Sequence, residues 1–405
     1  MDKQSASAPA DVDVVIIGGG LTGLATAAAL VSGGVETALL ERRPLGETRA
    51  ATFDGRVTAV AYGSQQFLQR IGVWAGVEPT AEPIIDIIVE EPGTPGRVHY
   101  DHRDIGSDPL GWIAENRHLR ASLIDRLEGD PSVSMVAPVE ITSLDRDVTR
   151  VLIETDRGMI RARLVIAADG KFSGVRDEAA IAFRDWRYHQ TGIVCTLKHE
   201  RPHHGRATER FYPDGPFALL PLPGRRTSIV WALANDTAEA VTALDDQGFL
   251  EEVGARVGDR LGELSLEGPR YAYPLNLVWS ERFTARRLAL VGDAARGIHP
   301  IAGQGWNLAL RDVASLAELV SEQVGLGLDP GAPHVLERYE RWRRFDATTL
   351  ALVTDGINRL FANDLTPVRV ARSLGLSAVD RLPPLKRLFM RHATGALGDL
   401  AQTMR

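Results

Sequence analysis

The chain has a single cysteine, Cys195, among 405 residues. That excludes an intrachain disulfide and any metal site built on cysteine pairs, and a lone thiol of this kind is ordinarily a small buried hydrophobe. Basic residues are not in excess either: 46 Lys and Arg stand against 53 Asp and Glu, a formal net charge of −7. A general nucleic-acid binder needs a basic face, so no nucleic-acid partner is expected. Long internal repeats, low-complexity tracts, Ser-His-Asp spacings and metal-ligand spacings are missing too. His203-His204 follow Pro202 in what reads as a solvated loop. The longest apolar stretch, 12–35, starts between Asp11 and Asp13 instead of after basic residues, and Gly18, Gly19, Gly20, Gly23 and Ser32 interrupt it. It is read as neither a signal peptide nor a membrane span, the first ten residues as a polar tail, and the protein as cytoplasmic.

What remains is an ordinary globular composition, long enough for two domains. The first third alternates strand and helix signals, which favours a parallel α/β sheet. Strands are expected over 12–17, 37–41 and 163–168, and helices over 22–32 and 118–127. The block 58–71 has helical spacing through Val60, Phe67, Leu68 and Ile71. From 186 to 275 the pattern changes to β-rich runs (192–197, 217–220, 227–234) broken by Pro and Gly, the mark of an antiparallel sheet forming one wall of a substrate pocket. A parallel-strand signal returns at 288–291, followed by amphipathic helices over 304–324 and 334–361. The expected division is a discontinuous cofactor domain (1–185 and 276–362), an inserted sheet (186–275) and a helical tail (363–405).

The strongest local signal is Gly18-Gly19-Gly20-Leu21-Thr22-Gly23, a G-x-G-x-x-G between a buried strand and a helix. Gly18 permits the tight turn, Gly20 lets a pyrophosphate reach the backbone, and Gly23 lets helix and strand pack closely. The free N–H groups and positive helix end then face the phosphates. Glu41 ends the second strand about twenty residues on, where a carboxylate holds ribose hydroxyls. This predicts a Rossmann-like dinucleotide site and leaves NAD and FAD equally open.

Later segments favour FAD. Asp169-Gly170 follows a buried strand and runs on to Ser173 and Arg176. Gly292-Asp293 follows another and leads into His299-Pro300-Ile301-Ala302-Gly303-Gln304-Gly305-Trp306-Asn307. An acid at a strand end followed by small residues suits a close-packed cofactor chain, with Asp293 accepting from a ribitol hydroxyl. The turn at 303–307 opens a helix whose N–H groups and dipole suit negative charge on a reduced flavin ring. A simple NAD dehydrogenase needs none of this second half.

In these motifs the chain resembles the flavin-dependent aromatic hydroxylases of the p-hydroxybenzoate hydroxylase type, and among them most the ubiquinone-biosynthesis (2-polyprenyl-6-methoxyphenol) hydroxylases. The resemblance is carried by Gly18–Gly23; by Asp54-Gly55-Arg56 with Ile71-Gly72-Val73-Trp74; and by Asn116-Arg117-His118-Leu119. Asp169-Gly170 with Ser173 and Arg176, and Gly292-Asp293 through Asp312, complete it over nearly the whole chain. It implies an FAD monooxygenase that takes electrons from NAD(P)H or another reductant and transfers one atom of O₂ to a polyprenylated phenol. By the same resemblance Gly18, Gly20, Gly23 and Glu41 hold the adenosine half, Arg117 reaches the cofactor, and Asp293 holds the ribitol. The backbone of Gly305, Trp306 and Asn307 faces the ring, Asp169 contacts FAD and nicotinamide, and Arg56 contacts a phosphate. Each has a plainer reading: Arg56 and Arg117 as surface ion pairs, Asp169 as a turn cap. His299, beside the ring position, is either an acceptor for the phenol proton or a structural histidine.

The tail segment Leu385-Lys386-Arg387-Leu388-Phe389-Met390-Arg391 mixes apolar spacing with three cations. It suits the inner face of the cytoplasmic membrane, a partner in a ubiquinone-biosynthesis complex, or the enzyme's own body. Two other functions stay open on the residues alone. A hydroxylase of a small aromatic acid needs a pocket cation, for which Arg210, Arg225 and Arg226 are available. A non-catalytic FAD-binding scaffold needs none.

Overall fold

The structure, a computed structural model, describes residues 11–49, 55–297, 303–361, 366–395 and 400–404. Strand β1 (Asp11–Ile17), helix α1 (Leu21–Ser32) and strand β2 (Thr37–Leu40) form its first unit. Val14, Val15 and Ile16 are fully buried, as a parallel strand covered on both faces must be. β1 sits at the centre of a sheet ordered Thr284–Ala285, Leu288–Leu290, Gly158–Ala167, β1, β2, Val133–Val136, with Val151–Thr155 and Ile141–Arg146 hairpinned onto Gly158–Ala167. Helix α1, nearly all Ala and Leu on its buried side, packs against the helices Gly305–Gly325 and Asn116–Leu127. One hydrophobic core therefore joins Val14 and Leu24 from the start of the chain to Leu290, Leu310 and Tyr339 from its second half.

A second sheet runs Arg296–Gly297, Leu264–Ser280, Phe183–His199, Arg226–Ala234, Gly215–Leu222, Arg206–Tyr212, Asp86–Glu90, Arg97–Asp101. Side chains alternate along each strand. One face packs Ile193, Phe217 and Trp231 under Phe249 and Val253 of the helix Asp246–Val257. The other turns Ala207, Leu220 and Leu222 toward Ile84 and Ile113 of a small sheet, Val57–Ala61, Gly111–Glu115 and Glu82–Ile84.

Two expectations are corrected here. The block 58–71 is not one helix: Val57–Ala61 is a strand paired with Gly111–Glu115, and the helix begins only at Tyr62. Long-range pairing of the β-branched Val57, Thr58 and Val60 outweighs the helical spacing. The substrate-side sheet also takes in more chain than 186–275. Its central strands begin at Phe183 and end at Ser280, and Asp86–Glu90 joins by parallel pairing with Arg206–Tyr212, which has no local sequence mark.

The C-terminal helices Thr366–Arg381 and Pro383–Ala393 lie on the body. Arg372 pairs with buried Glu91, Lys386 Nζ stands 2.7 Å from Asp104, and Gly63 N donates to Thr394 O at 2.9 Å. No helix among the described residues is long and apolar enough to cross a membrane.

Candidate active site

The fingerprint turn is shaped by close approaches that only glycine allows. Gly18 has φ +111°, and a Cβ there would stand 2.5 Å from Ala168 O. At Gly23 a Cβ would meet Gly18 O at 1.8 Å, so helix and turn touch backbone to backbone. Gly20 differs: it caps α1 without a side-chain acceptor, and nothing lies within 4 Å of where its Cβ would be. The start of α1 thus has open space beside Gly20 and no side-chain cap on its first-turn N–H groups, the cradle an anion requires. Glu41 is set beside them, accepting from Gly19 N at 2.6 Å and Arg43 N at 2.9 Å.

Two acid turns close on this cradle. Asp169 follows the strand Gly158–Ala167 next to Gly18. Its Oδ2 accepts from Val175 N at 3.3 Å, whereas its Oδ1 is buried with no partner among the described residues. A buried, unpaired carboxylate oxygen costs about 1–3 kcal/mol, which a donor on a bound group would offset. Gly292-Asp293 lies on the other side, where a Cβ on Gly292 would meet Thr22 Cγ2 at 3.0 Å and Ala309 Cβ at 3.2 Å. The turn is therefore wedged between the starts of α1 and the helix Gly305–Gly325. The Asp293 side chain is open to the groove, yet protein surrounds it closely. That crowding raises its carboxyl above the usual range, against the opposing pull of Lys171 and Arg296.

Asp312 closes the Gly292-Asp293 motif, and the motif alone gives it no role. It is fully buried and accepts from Gly292 N at 3.2 Å, from Arg343 Nε at 2.9 Å and from Arg296. It fastens the Asp293 turn to the helix behind it. Its signal was its place two turns into an apolar helix, where a charge is retained only if paired. Arg176, quoted with the Asp169 motif, is likewise internal: Nη1 donates to Ala294 O at 3.3 Å and the guanidinium stacks 3.8 Å from the Phe183 ring centre.

Asn307 is 3% exposed, and its side chain is committed to the protein. Oδ1 accepts from Ala61 N at 2.9 Å, and Nδ2 donates to Ala59 O at 2.8 Å and Gly303 O at 3.1 Å. It clamps the strand Val57–Ala61 against the helix start, leaving backbone at Gly305 and Trp306 as the surface presented. Trp306 Nε1 is buried without a partner among the described residues. The same strand leads to the two arginines. Arg56, exposed, precedes it and accepts through its carbonyl from Asn116 N at 3.0 Å. Arg117 Nε donates to buried Glu115 at 2.6 Å, which fixes the guanidinium at the start of its helix. His299 lies outside the described residues. His203 accepts from Gly205 N at 3.0 Å and bonds Leu222 O at 2.8 Å, so it orders its loop.

Gly18, Gly20, Gly23, Glu41, Asp169, Asp293 and the start of the helix Gly305–Gly325 thus converge on one groove. Its N–H cradle, orphaned Asp169 oxygen and open Gly20 fit an extended dinucleotide such as FAD. The fold and groove are those of a flavin-dependent oxidoreductase. Comparison narrows the class: residues 11–351 match the family described as FAD binding domain, and the chain belongs to it. It is 46% identical to the ubiquinone hydroxylase UbiL of Rhodospirillum rubrum, over 96% of this chain and 91% of that one. It is 32% identical to the 3-demethoxyubiquinol 3-hydroxylase of Escherichia coli, over 95% of this chain and 98% of the relative. Among solved structures, p-nitrophenol 4-monooxygenase PnpA from Pseudomonas putida shares the fold with a TM-score of 0.78 at 19% identity, covering 95% and 98% of the two chains. The protein is an FAD-dependent monooxygenase of the group that contains the ubiquinone hydroxylases.

Proposed function

We propose that this protein hydroxylates the ring of a polyprenylated phenol in ubiquinone biosynthesis, using O₂ and electrons from NAD(P)H or another reductant. The observation that carries this is the state of the cations on the substrate sheet. Arg210 turns to the helix-covered face, where Nε donates to Glu90 at 2.7 Å. Arg226 lies between Glu115 at 3.0 Å and Glu267 at 2.8 Å, and Arg225 donates to Glu200 O at 2.8 Å. A small aromatic acid needs an uncommitted cation, whereas the half-buried apolar Val194, Leu220 and Val230 on the cofactor side of the sheet suit a prenyl chain.

In this reading Gly18, Gly20, Gly23 and Glu41 would hold the adenosine half of FAD, Asp293 the ribitol and the start of the helix Gly305–Gly325 the ring, with Arg56, Arg117 and Asp169 along the rim. When bound, FAD supplies the reduction of O₂ and the transfer of one oxygen atom to the ring. The protein orients the phenol, keeps water away and places the positive end of the helix Gly305–Gly325 toward developing negative charge.

The enzyme works at the inner face of the cytoplasmic membrane. Supporting this, Leu388 and Phe389 are 55% and 45% exposed beside exposed Arg387 and Arg391, while Lys386 and the buried Met390 hold their helix to the body. Apolar anchors flanked by cations suit an anionic lipid surface. Deleting the gene and analysing extracted quinones by mass spectrometry tests the activity. Loss of ubiquinone with one under-hydroxylated prenylphenol accumulating is expected; unchanged ubiquinone in a strain with no second such hydroxylase refutes it.

A further inference from the structure

The pocket-facing side of the substrate sheet carries one unexplained acid. Glu209 lies mid-strand in Arg206–Tyr212, paired with Val89 on one side and Ala218 on the other. Continued pairing through Val230 and Val194 to Tyr271 sets all six in one row across the sheet. Paired residues share a face, and two observations fix which. Ala207, two residues before Glu209, packs with Ile84 and Ile113, and Tyr271 lies against Gly55, where a Cβ would meet its ring at 2.6 Å. Both contacts are on the cofactor side. The helix-covered side is filled by Phe217, Leu219, Ile229 and Trp231, all buried.

On the cofactor side Ala207, Ala218 and Leu222 are buried, but Val89, Glu209, Leu220, Val230, Val194 and Tyr271 are only half-buried, as residues lining a space between layers would be. That space adjoins the ring-facing turn. Ala207 shares its cluster with Ala59, which accepts from Asn307 and stands so close to Gly303 that a Cβ there would be 2.8 Å from its own. Glu209 is one same-face position along the strand from that contact, about 7 Å.

We propose that Glu209 is the catalytic proton acceptor of the substrate pocket, receiving the phenolic proton while the ring is oxygenated; this rests on the phenol reading above. In the step, the phenol O–H bond breaks, a carboxyl O–H bond forms on Glu209, and the electron pair left on oxygen raises ring nucleophilicity. The proton displaced from the ring carbon leaves to solvent on rearomatisation. Among the described residues no arginine or hydroxyl donates to Glu209, and loss of hydration pushes its carboxyl up to about 8, which matches it to a phenol far better than an ordinary carboxylate. The charged and titratable groups nearby act elsewhere. Arg210 is on the opposite face with Glu90, Glu82 faces His203, Arg226 is held by Glu115 and Glu267, and Tyr100, at the sheet edge, feels Asp380.

The test compares the FAD-loaded wild type with Glu209→Gln, which keeps the shape and removes the base, using 2-geranylphenol as probe. Wild-type turnover should rise with pH through an inflection near 8. Glu209→Gln should bind the probe and FAD normally, fall about 10²-fold or more in kcat, and lose that inflection. An independent readout is stability. Folded Glu209 titrates near 8 against 4.5 unfolded, so wild type pays an increasing penalty across that window. Glu209→Gln should therefore melt progressively above wild type from about pH 5 to about pH 8, with no further gain beyond. Wild-type rates and pH profile in Glu209→Gln, or a melting difference flat with pH, overturn the assignment and leave the phenol reading standing. No hydroxylated product from wild type overturns both.

Discussion

Asp312→Asn tests whether the Asp293 turn is held by a buried charge. Asp312 is 0% exposed, and the side chains of Arg296 and Arg343 that meet it are 1% and 2% exposed. Asparagine keeps the shape but removes the anion that Arg296 and Arg343 share and points an amide N–H at donors. Removing one partner of a buried ion pair costs about 3–5 kcal/mol. With roughly 2.1 cal/mol/K of unfolding entropy per residue, a chain of this size should lose about 4–6 °C in melting temperature. The Gly292 N–H loses its charged acceptor as well, so the turn carrying Asp293 should loosen and FAD should bind about tenfold more weakly. Differential scanning fluorimetry and flavin-fluorescence titration read the two effects separately. Replacing the cluster together (Asp312→Leu, Arg296→Met, Arg343→Met) should recover stability but not FAD affinity, because an apolar triad needs no charge balance and still leaves Gly292 N unbonded. A single variant melting within a degree of wild type and holding FAD equally well would refute the argument.

Two further outcomes follow from the fingerprint. Gly23→Ala places a methyl 1.8 Å from Gly18 O, a backbone atom that cannot step aside, so the purified protein should lack flavin absorbance and be destabilised by about 1–3 kcal/mol or more. Glu41→Gln keeps an acceptor for Gly19 N but weakens a 2.6 Å charge-assisted bond, and FAD affinity should drop about tenfold with melting of the apoprotein within a degree or two of wild type. Equal FAD affinity in Glu41→Gln would remove Glu41 from the binding site.

The parts legible in the sequence were those whose physics is local. A Gly-rich turn between a buried strand and an Ala-Leu helix constrains backbone within a few residues, and Gly18, Gly20 and Gly23 have geometries that follow from that alone. The same holds for acids at strand ends, so Asp169 and Asp293 could be placed at turns before any contact was known. What was hidden depended on pairing between distant segments. Val57–Ala61 read as helix because its strand partner, Gly111–Glu115, lies some fifty residues on. Asp86–Glu90 carries no mark of the parallel pairing that seats it, and the edge strand Arg97–Asp101 none of its antiparallel pairing with Asp86–Glu90. Glu209 shows why this matters for function. In sequence it is one charge in Thr208-Glu209-Arg210, indistinguishable from its neighbour. The sheet separates them: Arg210 goes to the helix side with a carboxylate partner, and Glu209 to the cofactor side with none among the described residues. One residue of register would exchange the two faces and put a paired cation, instead of an unpaired acid, in the pocket. The chemistry available to the substrate is thus set by strand register, which only the assembled sheet determines.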